Sequence, residues 1–304
     1  MINDKNEKDK QINDKLISFT LENGLVKGRI VKLNNSIDTI IKRHGYPRIL
    51  SLIIAETLSI TCCIGSTLKL DGIFTMQLNS KGVIKSIVAD FTTSGELRCY
   101  ANFNEKDIKS YDKVQNYNLQ DLMSEGHLAF TFFSSDSDKR YQGIVPIQDG
   151  SISRSTQYYF ENSEQIDTEI LCFAEILKGK WSSASIMIQK IPLNTINIET
   201  EKKAYNLSKV FLKSLTANEI LSPINSMEDI LYKLFNSFKI KIHKYLEIIE
   251  KCRCNLEKIE QTIKNISNEQ IKDLIYEDGS LEIKCEFCKN TRKYLKSDLI
   301  RIRN

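Results

Sequence analysis

The sequence predicts an α+β fold: a mainly antiparallel sheet domain with helices, a helical linker, and a small C-terminal domain organised by cysteines. Three observations carry this prediction. Residues 16–192 are dominated by short alternating strand patterns separated by turn residues. From about 193 to 244 those patterns stop and helix signals replace them. Residues 245–304 hold four of the chain's eight cysteines, in two close pairs. The expected boundaries are therefore 1–192, 193–244 and 245–304.

Taken in order, residues 16–35 read as two strands around Asn23-Gly24, a hairpin signal. Residues 36–65 carry two helices parted at Gly45-Tyr46-Pro47. Ile73–Leu78, Ile84–Asp90 and Glu96–Phe103 alternate as strands. Leu128–Phe133 and Tyr141–Ile147 read as a further pair joined across Ser134–Arg140. Residues 151–166 are helical, and Glu169–Phe173 and Ile186–Ile191 close the series at Pro192. Helices mixed with a mainly antiparallel sheet make an α+β pattern.

Composition excludes several classes. Among 304 residues, 12 Gly and 4 Pro rule out collagen-like and mostly disordered chains. The net charge of +4 is too small to argue for nucleic acid. Residues 1–15 alternate charge without an apolar core, so they read as a partly frayed start and not as a secretory signal. The most apolar stretch, Ile49–Gly65, is shorter than a membrane span and is interrupted by Glu56, Ser59 and Thr61. It reads as a buried helix, and the chain as soluble, cytoplasmic and without a membrane partner.

The cysteines are more informative. Cys252-Arg253-Cys254 and Cys285-Glu286-Phe287-Cys288 are separated by 30 residues. Two short thiol pairs suit tetrahedral zinc, which takes four sulfurs at about 2.3 Å. A structural zinc site, a redox site and chance clustering of structural cysteines all remain open on spacing alone, with the first preferred. A thioredoxin-like role for the C-x-x-C fits less well, since that motif opens a helix after a strand in a βαβ unit. Cys62-Cys63 lies on the apolar helix and reads as core.

In the linker, a short helix covers roughly 206–215. A second helix starts at Ser226 as N-cap with Asp229 at N3 and presents Ile230, Leu231, Leu234, Phe235 and Phe238. Such a face must dock on something. In the last unit, Ser267-x-x-Gln270 reads as a capping box, and Asp278-Gly279 as a turn into the strand that ends at Cys285. A unit of 60 residues has a marginal core and needs a staple. Structural zinc supplies about 10–16 kcal/mol of apparent binding energy, so the unit should unfold without metal.

No G-x-G-x-x-G, Walker A, H-E-x-x-H or G-x-S-x-G motif is present. The three histidines, 44, 127 and 243, stand at no ligand spacing from a cysteine pair. No catalytic residue is identified, and the chain reads as no enzyme. The alternative from another class is a zinc-module nucleic-acid binder, resting on Arg292, Lys293, Lys296, Arg301 and Arg303. That run also reads as a solvated surface.

These residues resemble the thirty-three-kilodalton redox-regulated heat-shock chaperone family. The C-terminal match is C-x-C, thirty residues, then C-x-x-C, with Glu277-Asp278-Gly279 before the second pair. The N-terminal match includes Arg43-His44-Gly45-Tyr46-Pro47, Thr67-Leu68-Lys69 and Ser94-Gly95-Glu96-Leu97-Arg98. It continues through Tyr141-Gln142-Gly143-Ile144-Val145-Pro146, Ser163-Glu164-Gln165-Ile166 and Ile230-Leu231-Tyr232-Lys233-Leu234-Phe235. One departure is Ala184-Ser185, where family members often carry Gly-Gly. The resemblance implies an ATP-independent holdase for unfolding client proteins under oxidative stress. It implies one Zn2+ per chain on Cys252, Cys254, Cys285 and Cys288 in the reduced state. It also implies oxidation to the disulfides Cys252–Cys254 and Cys285–Cys288 with loss of zinc, and a homodimer on activation. The linker would then lose its docking partner, making Ile230, Leu231, Leu234, Phe235 and Phe238 a candidate client-binding face.

Overall fold

The computed structural model describes residues 14–111, 117–135, 140–192 and 198–303. Nearly all of the expected frayed start, the middle of the 134–140 connection and the first residues of the linker lie outside them. The described chain forms two compact units, meeting in sequence between Glu250 and Lys251.

The first unit begins with the expected hairpin, β1 (Lys15–Leu21) and β2 (Val26–Leu33). Asn23 and Gly24 make the turn at positive φ, 55° and 98°. Two helices follow, α1 (Asn35–His44) and α2 (Arg48–Gly65). Gly45 caps α1 in the left-handed region at φ 63°, where a side chain is disfavoured, and Pro47 starts α2. Then come β3 (Gly72–Asn79), β4 (Ile84–Thr92), β5 (Glu96–Phe103) and the one-turn helices α3 (Glu105–Ile108) and α4 (Leu119–Leu122). β6 (His127–Ser134), β7 (Arg140–Pro146), α5 (Ile152–Asn162), β8 (Thr168–Leu177) and β9 (Lys180–Lys190) complete the segment up to Pro192. The unit continues through α6 (Ile198–Leu212), α7 (Ala217–Leu221), α8 (Met227–Leu234), β10 (Ile240–Glu247) and β11 (Ile249–Glu250).

These strands make two sheets. The first has order β10-β1-β2-β9-β8 and is antiparallel throughout. The second has order β11-β5-β4-β3-β6-β7 and is antiparallel except where β11 joins β5 in parallel. Helix α2 packs against strands of both sheets, and fifteen of its eighteen residues are buried. It is the one helix among the described residues long and apolar enough to cross a membrane, and 89% of that stretch is buried inside the unit. A core helix between two sheets needs this all-round apolar character. Cys62 and Cys63 sit in that core, fully buried as expected.

The other face of the first sheet carries α6, α7 and α8. Ile17, Phe19, Leu21, Ile30, Ile186 and Ile188 of the sheet share one apolar cluster with Leu212, Ile220, Ile230, Leu231, Phe235 and Phe238. The helical segment is thus packed on the sheet and ends in a strand. Residues 240–244, read from sequence as the end of the helical linker, lie in β10, which pairs with β1 from Lys15↔Glu247 to Leu21↔Ile240. An edge strand with three exposed cationic or imidazole side chains, Lys241, His243 and Lys244, carries only half of an alternating pattern, and its partner is more than two hundred residues away.

The second unit contains α9 (Leu256–Asn265), α10 (Asn268–Leu274), the hairpin β12 (Leu281–Lys284) and β13 (Thr291–Tyr294), and α11 (Lys296–Arg303). Its buried apolar cluster, among the described residues, is Ile263, Leu281, Tyr294 and Leu299. The capping box forms, with the Gln270 N–H donating to Ser267 Oγ at 3.2 Å and Ser267 N–H to Gln270 Oε1 at 3.3 Å. Arg303 ties the last helix down by donating to the carbonyls of Ile263 and Ile266 at 3.0 and 2.7 Å. Four buried side chains supply little hydrophobic stabilisation for 54 residues.

Candidate metal centre

The β12–β13 hairpin places one thiol pair. Lys284 and Thr291 are the last paired residues, so Cys285 to Asn290 form the tip. The Cys285 N–H donates to the Asn290 carbonyl at 3.0 Å, and the Lys289 N–H to the Cys285 carbonyl at 2.8 Å. Lys289 takes the left-handed conformation at φ 57°, which folds the tip back on itself. Both sulfurs of the C-x-x-C are thereby brought to one side of a tight knuckle. The Asp278-Gly279 turn that leads into this hairpin is held by Asp278, which accepts from Ser280 N–H and Oγ at 2.9 and 2.6 Å. Those hydrogen bonds, with Lys293 beside it, hold the Asp278 carboxyl down at about 2.

The other pair comes from the segment entering α9. Asn255 caps that helix by accepting from the Lys258 N–H at 2.9 Å, and Cys254 immediately precedes the cap. The four sulfurs of Cys252, Cys254, Cys285 and Cys288 lie within 4.8 Å of one another, the one such His/Cys/Asp/Glu group among the described residues. Cys252 Sγ is 3.7 Å from Cys285 Sγ, and Cys254 Sγ is 3.6 Å from Cys288 Sγ. A tetrahedron of four metal–sulfur bonds of about 2.3 Å has edges of about 3.8 Å. The donor set and its spacing therefore fit a tetrahedral thiolate-bound metal ion, and these four residues can hold one.

Electrostatics separates these thiols from the rest. Without a cation, the four cannot all ionise. Burial opposes ionisation of Cys252, but hydrogen bonds from the Cys254 N–H and the neighbouring thiols outweigh it, and its pKa falls. Burial and the crowding of Cys252 and Cys288 push Cys254 up to about 12. Cys288 is also raised, chiefly by burial. A bound dication inverts this balance by favouring every thiolate. The remaining cysteines are inert by environment. Burial raises Cys62, Cys63 and Cys99, and lifts Cys172 to about 12.

The linker residues singled out from sequence are brought together on the first sheet of the first unit. Ile230, Leu231, Phe235 and Phe238 are buried, and Leu234 packs at the edge of the same cluster. Ser226 and Asp229 form the capping box of α8, with the Asp229 N–H donating to Ser226 Oγ at 3.0 Å. Sequence reasoning missed Lys32. It is 8% exposed on β2, and its Nζ donates to the carbonyls of Ser222 and Asn225 at 2.7 and 3.0 Å. Burial pulls its pKa down to about 8. A lysine among apolar strand residues was the available signal.

Within the first unit, His44 stacks on Tyr46 and His243 bonds Thr20. Much of the C-terminal basic run has internal partners. Lys293 pairs with Asp278 at 3.2 Å, Arg301 with Asp298 at 3.5 Å, and Arg303 is held by carbonyls.

A two-sheet α+β unit followed by a small unit built round four clustered thiols defines a protein whose last domain is organised by metal-capable cysteines. The chain belongs to the Hsp33 family, whose model, described as Hsp33 protein, matches residues 14–294. It is 26% identical over 287 residues to a 33 kDa chaperonin of Caulobacter vibrioides, covering 93% of this chain and 95% of that protein. It is 29% identical over 279 residues to the 33 kDa chaperonin of Methylobacillus flagellatus, covering 91% and 90%. The fold is similar to the crystal structure of a 33 kDa chaperonin, a heat shock protein 33 homolog, from Thermotoga maritima. That match has a TM-score of 0.81 at 19% identity and covers 96% of this chain and 98% of that one.

Proposed function

We propose that this protein is a redox-regulated, ATP-independent holdase for unfolding proteins. The observation that carries the reading is the four-sulfur cluster inside a unit whose buried apolar cluster, among the described residues, is four side chains. In the reduced state Cys252, Cys254, Cys285 and Cys288 would hold one zinc ion as thiolates. Zinc supplies charge neutralisation and a covalent-strength staple for that unit. A peroxide-class oxidant would take two electrons from each thiolate pair, forming Cys252–Cys254 and Cys285–Cys288 while each peroxide becomes two waters with two protons. Disulfide sulfurs no longer serve as thiolate ligands, and the unit would unfold.

On this reading the chain divides functionally into a core (1–192), a linker (193–244) and a zinc-binding switch (245–304). Release of the linker from the first sheet would uncover Ile230, Leu231, Leu234, Phe235 and Phe238 together with the sheet face they cover. That is apolar surface of the kind that binds unfolding chains. The oxidised form would act in the cytoplasm as a homodimer, without nucleic acid or membrane.

Light scattering from a thermally unfolding client tests this. Suppression by the peroxide-treated, heated protein and not by the zinc-loaded reduced protein is expected. Equal suppression by both forms would leave zinc merely structural. No suppression by either would favour a zinc-module nucleic-acid binder, which a salt-dependent gel shift would reveal.

A further inference from the structure

Beside the end of α2 lies a cavity of about 230 Å3 that the proposed switch does not use. Its lining includes Ser18, Arg29, Ser66, Lys69, Asp71 and Lys244. The register explains the assembly: Arg29 of β2 pairs with Ser18 of β1, which pairs with Lys244 of β10. Lys69 arrives from the loop after α2. Three cations therefore meet one carboxylate, and Asp71 already accepts from Thr93 Oγ1 at 3.2 Å.

Arg29 is half-buried and donates only to backbone carbonyls, Nη1 to Gly28 at 2.8 Å and Nη2 to Ser66 at 3.4 Å. Its Nε is buried and has no acceptor among the described residues. No described carboxylate forms an ion pair with it. Lys27, on the same face of β2, is lowered first by burial and then by the nearby charges of Arg29 and Lys69. The carbonyl end of α2 offsets part of this positive charge, since a helix C-terminus carries about half a negative charge. Half a charge and Asp71 do not balance Lys27, Arg29, Lys69 and Lys244.

We propose that this cavity binds a tetrahedral oxyanion of the phosphate class, with Arg29 at its base and the exposed Lys69 and Lys244 at its rim. Liquid water takes about 30 Å3 per molecule, so the volume accommodates one phosphate group with its hydration. Arginine and lysine are the side chains that recognise such groups. The bound group would bridge β2, the loop after α2 and the edge strand β10. Free phosphate and the terminal group of a polyphosphate chain offer the same chemistry.

The test is calorimetric titration of the full-length, reduced, zinc-loaded protein in phosphate-free buffer. Sodium phosphate and tripolyphosphate form the two arms, with sodium chloride at matched ionic strength as control. Saturable binding in either arm, weakened about tenfold in both Arg29→Met and the double variant Lys69→Ala/Lys244→Ala, is the expected result. The tighter arm identifies the source of the phosphate group. Should Arg29→Met fail to fold, the double variant, which alters only exposed side chains, carries the comparison. No saturable binding in either arm, a chloride response of equal size, or binding unchanged in the double variant overturns the proposal. None of these outcomes depends on holdase activity.

Discussion

Arg43 grips Glu250 through two parallel hydrogen bonds, Nη1 to Oε1 at 2.7 Å and Nη2 to Oε2 at 2.9 Å. Both side chains are mostly buried, and Glu250 pairs with Leu97 through β11 two residues before Cys252. The fork therefore fastens the chain to the core just before the thiol segment begins. Fixed, charge-assisted bidentate pairs contribute more than exposed ones. Glu250→Gln should destabilise the first unit by about 2 kcal/mol, with faster amide exchange at Ile249 and Ile248. Chemical denaturation with site-resolved hydrogen exchange measures both, and unchanged exchange there would remove the fastening role.

Metal removal should affect the two units unequally. Chelation of the reduced protein, or Cys288→Ser, should abolish protection of amides in α9, α10, α11 and the β12–β13 hairpin. Amides of α2 should stay protected, because its burial depends on two sheets and not on sulfur. Global loss of protection, or none, would contradict a metal-stapled second unit.

Phe235 fills the seam between α8 and the first sheet. It is fully buried, with its ring centroid 6.0 Å from Phe19 and 6.1 Å from Phe238. Phe235→Ala should cost about 3–5 kcal/mol of linker packing. If the linker is the switch element, this variant should suppress client aggregation in the reduced, zinc-loaded state. Loss of stability with no gain of reduced-state activity would argue against a client role for this face.

Lys32 gives a pH signature. Its pKa falls from the ordinary 10.5 to about 8 because it is buried. The unfolded chain then holds the proton more tightly than the folded one, so stability rises as pH climbs from about 8 to about 10. The unfolding free energy of the parent relative to Lys32→Met should increase across that window by up to about 3 kcal/mol. Parallel pH profiles for the two proteins would show that Lys32 does not titrate in the seam.

Much of this architecture is legible in the residues. The two helices parted at Gly45-Tyr46-Pro47, the strand series and the Ser226 and Ser267 caps depend on local signals, and they form where those signals stand. The four thiols come together as their spacing implied. What was not legible depends on distant partners. β9 begins at Lys180, well before Ile186, because Ser183 and Ser185 are weak strand formers satisfied across the core by Ser59. The Ala184-Ser185 departure lies inside that strand, fully buried. β10 is hidden for the same reason, since nothing near residue 240 announces a strand at residue 15. Sequence showed that the α8 face needed cover, and the partner it found, the first sheet, has no local signature.

The pairing of Lys15 with Glu247 also governs how the protein comes into being. A ribosome adds roughly 5–20 residues per second, so roughly ten to fifty seconds separate the emergence of β1 from that of β10. Through that interval the edge of the first sheet stays open and the apolar residues that α6 to α8 will cover remain in water. The fourth sulfur, Cys288, emerges later still, so metal can be captured only after the core has had time to close. During its own synthesis, each chain passes through the kind of exposed, unfinished state that a holdase exists to shelter.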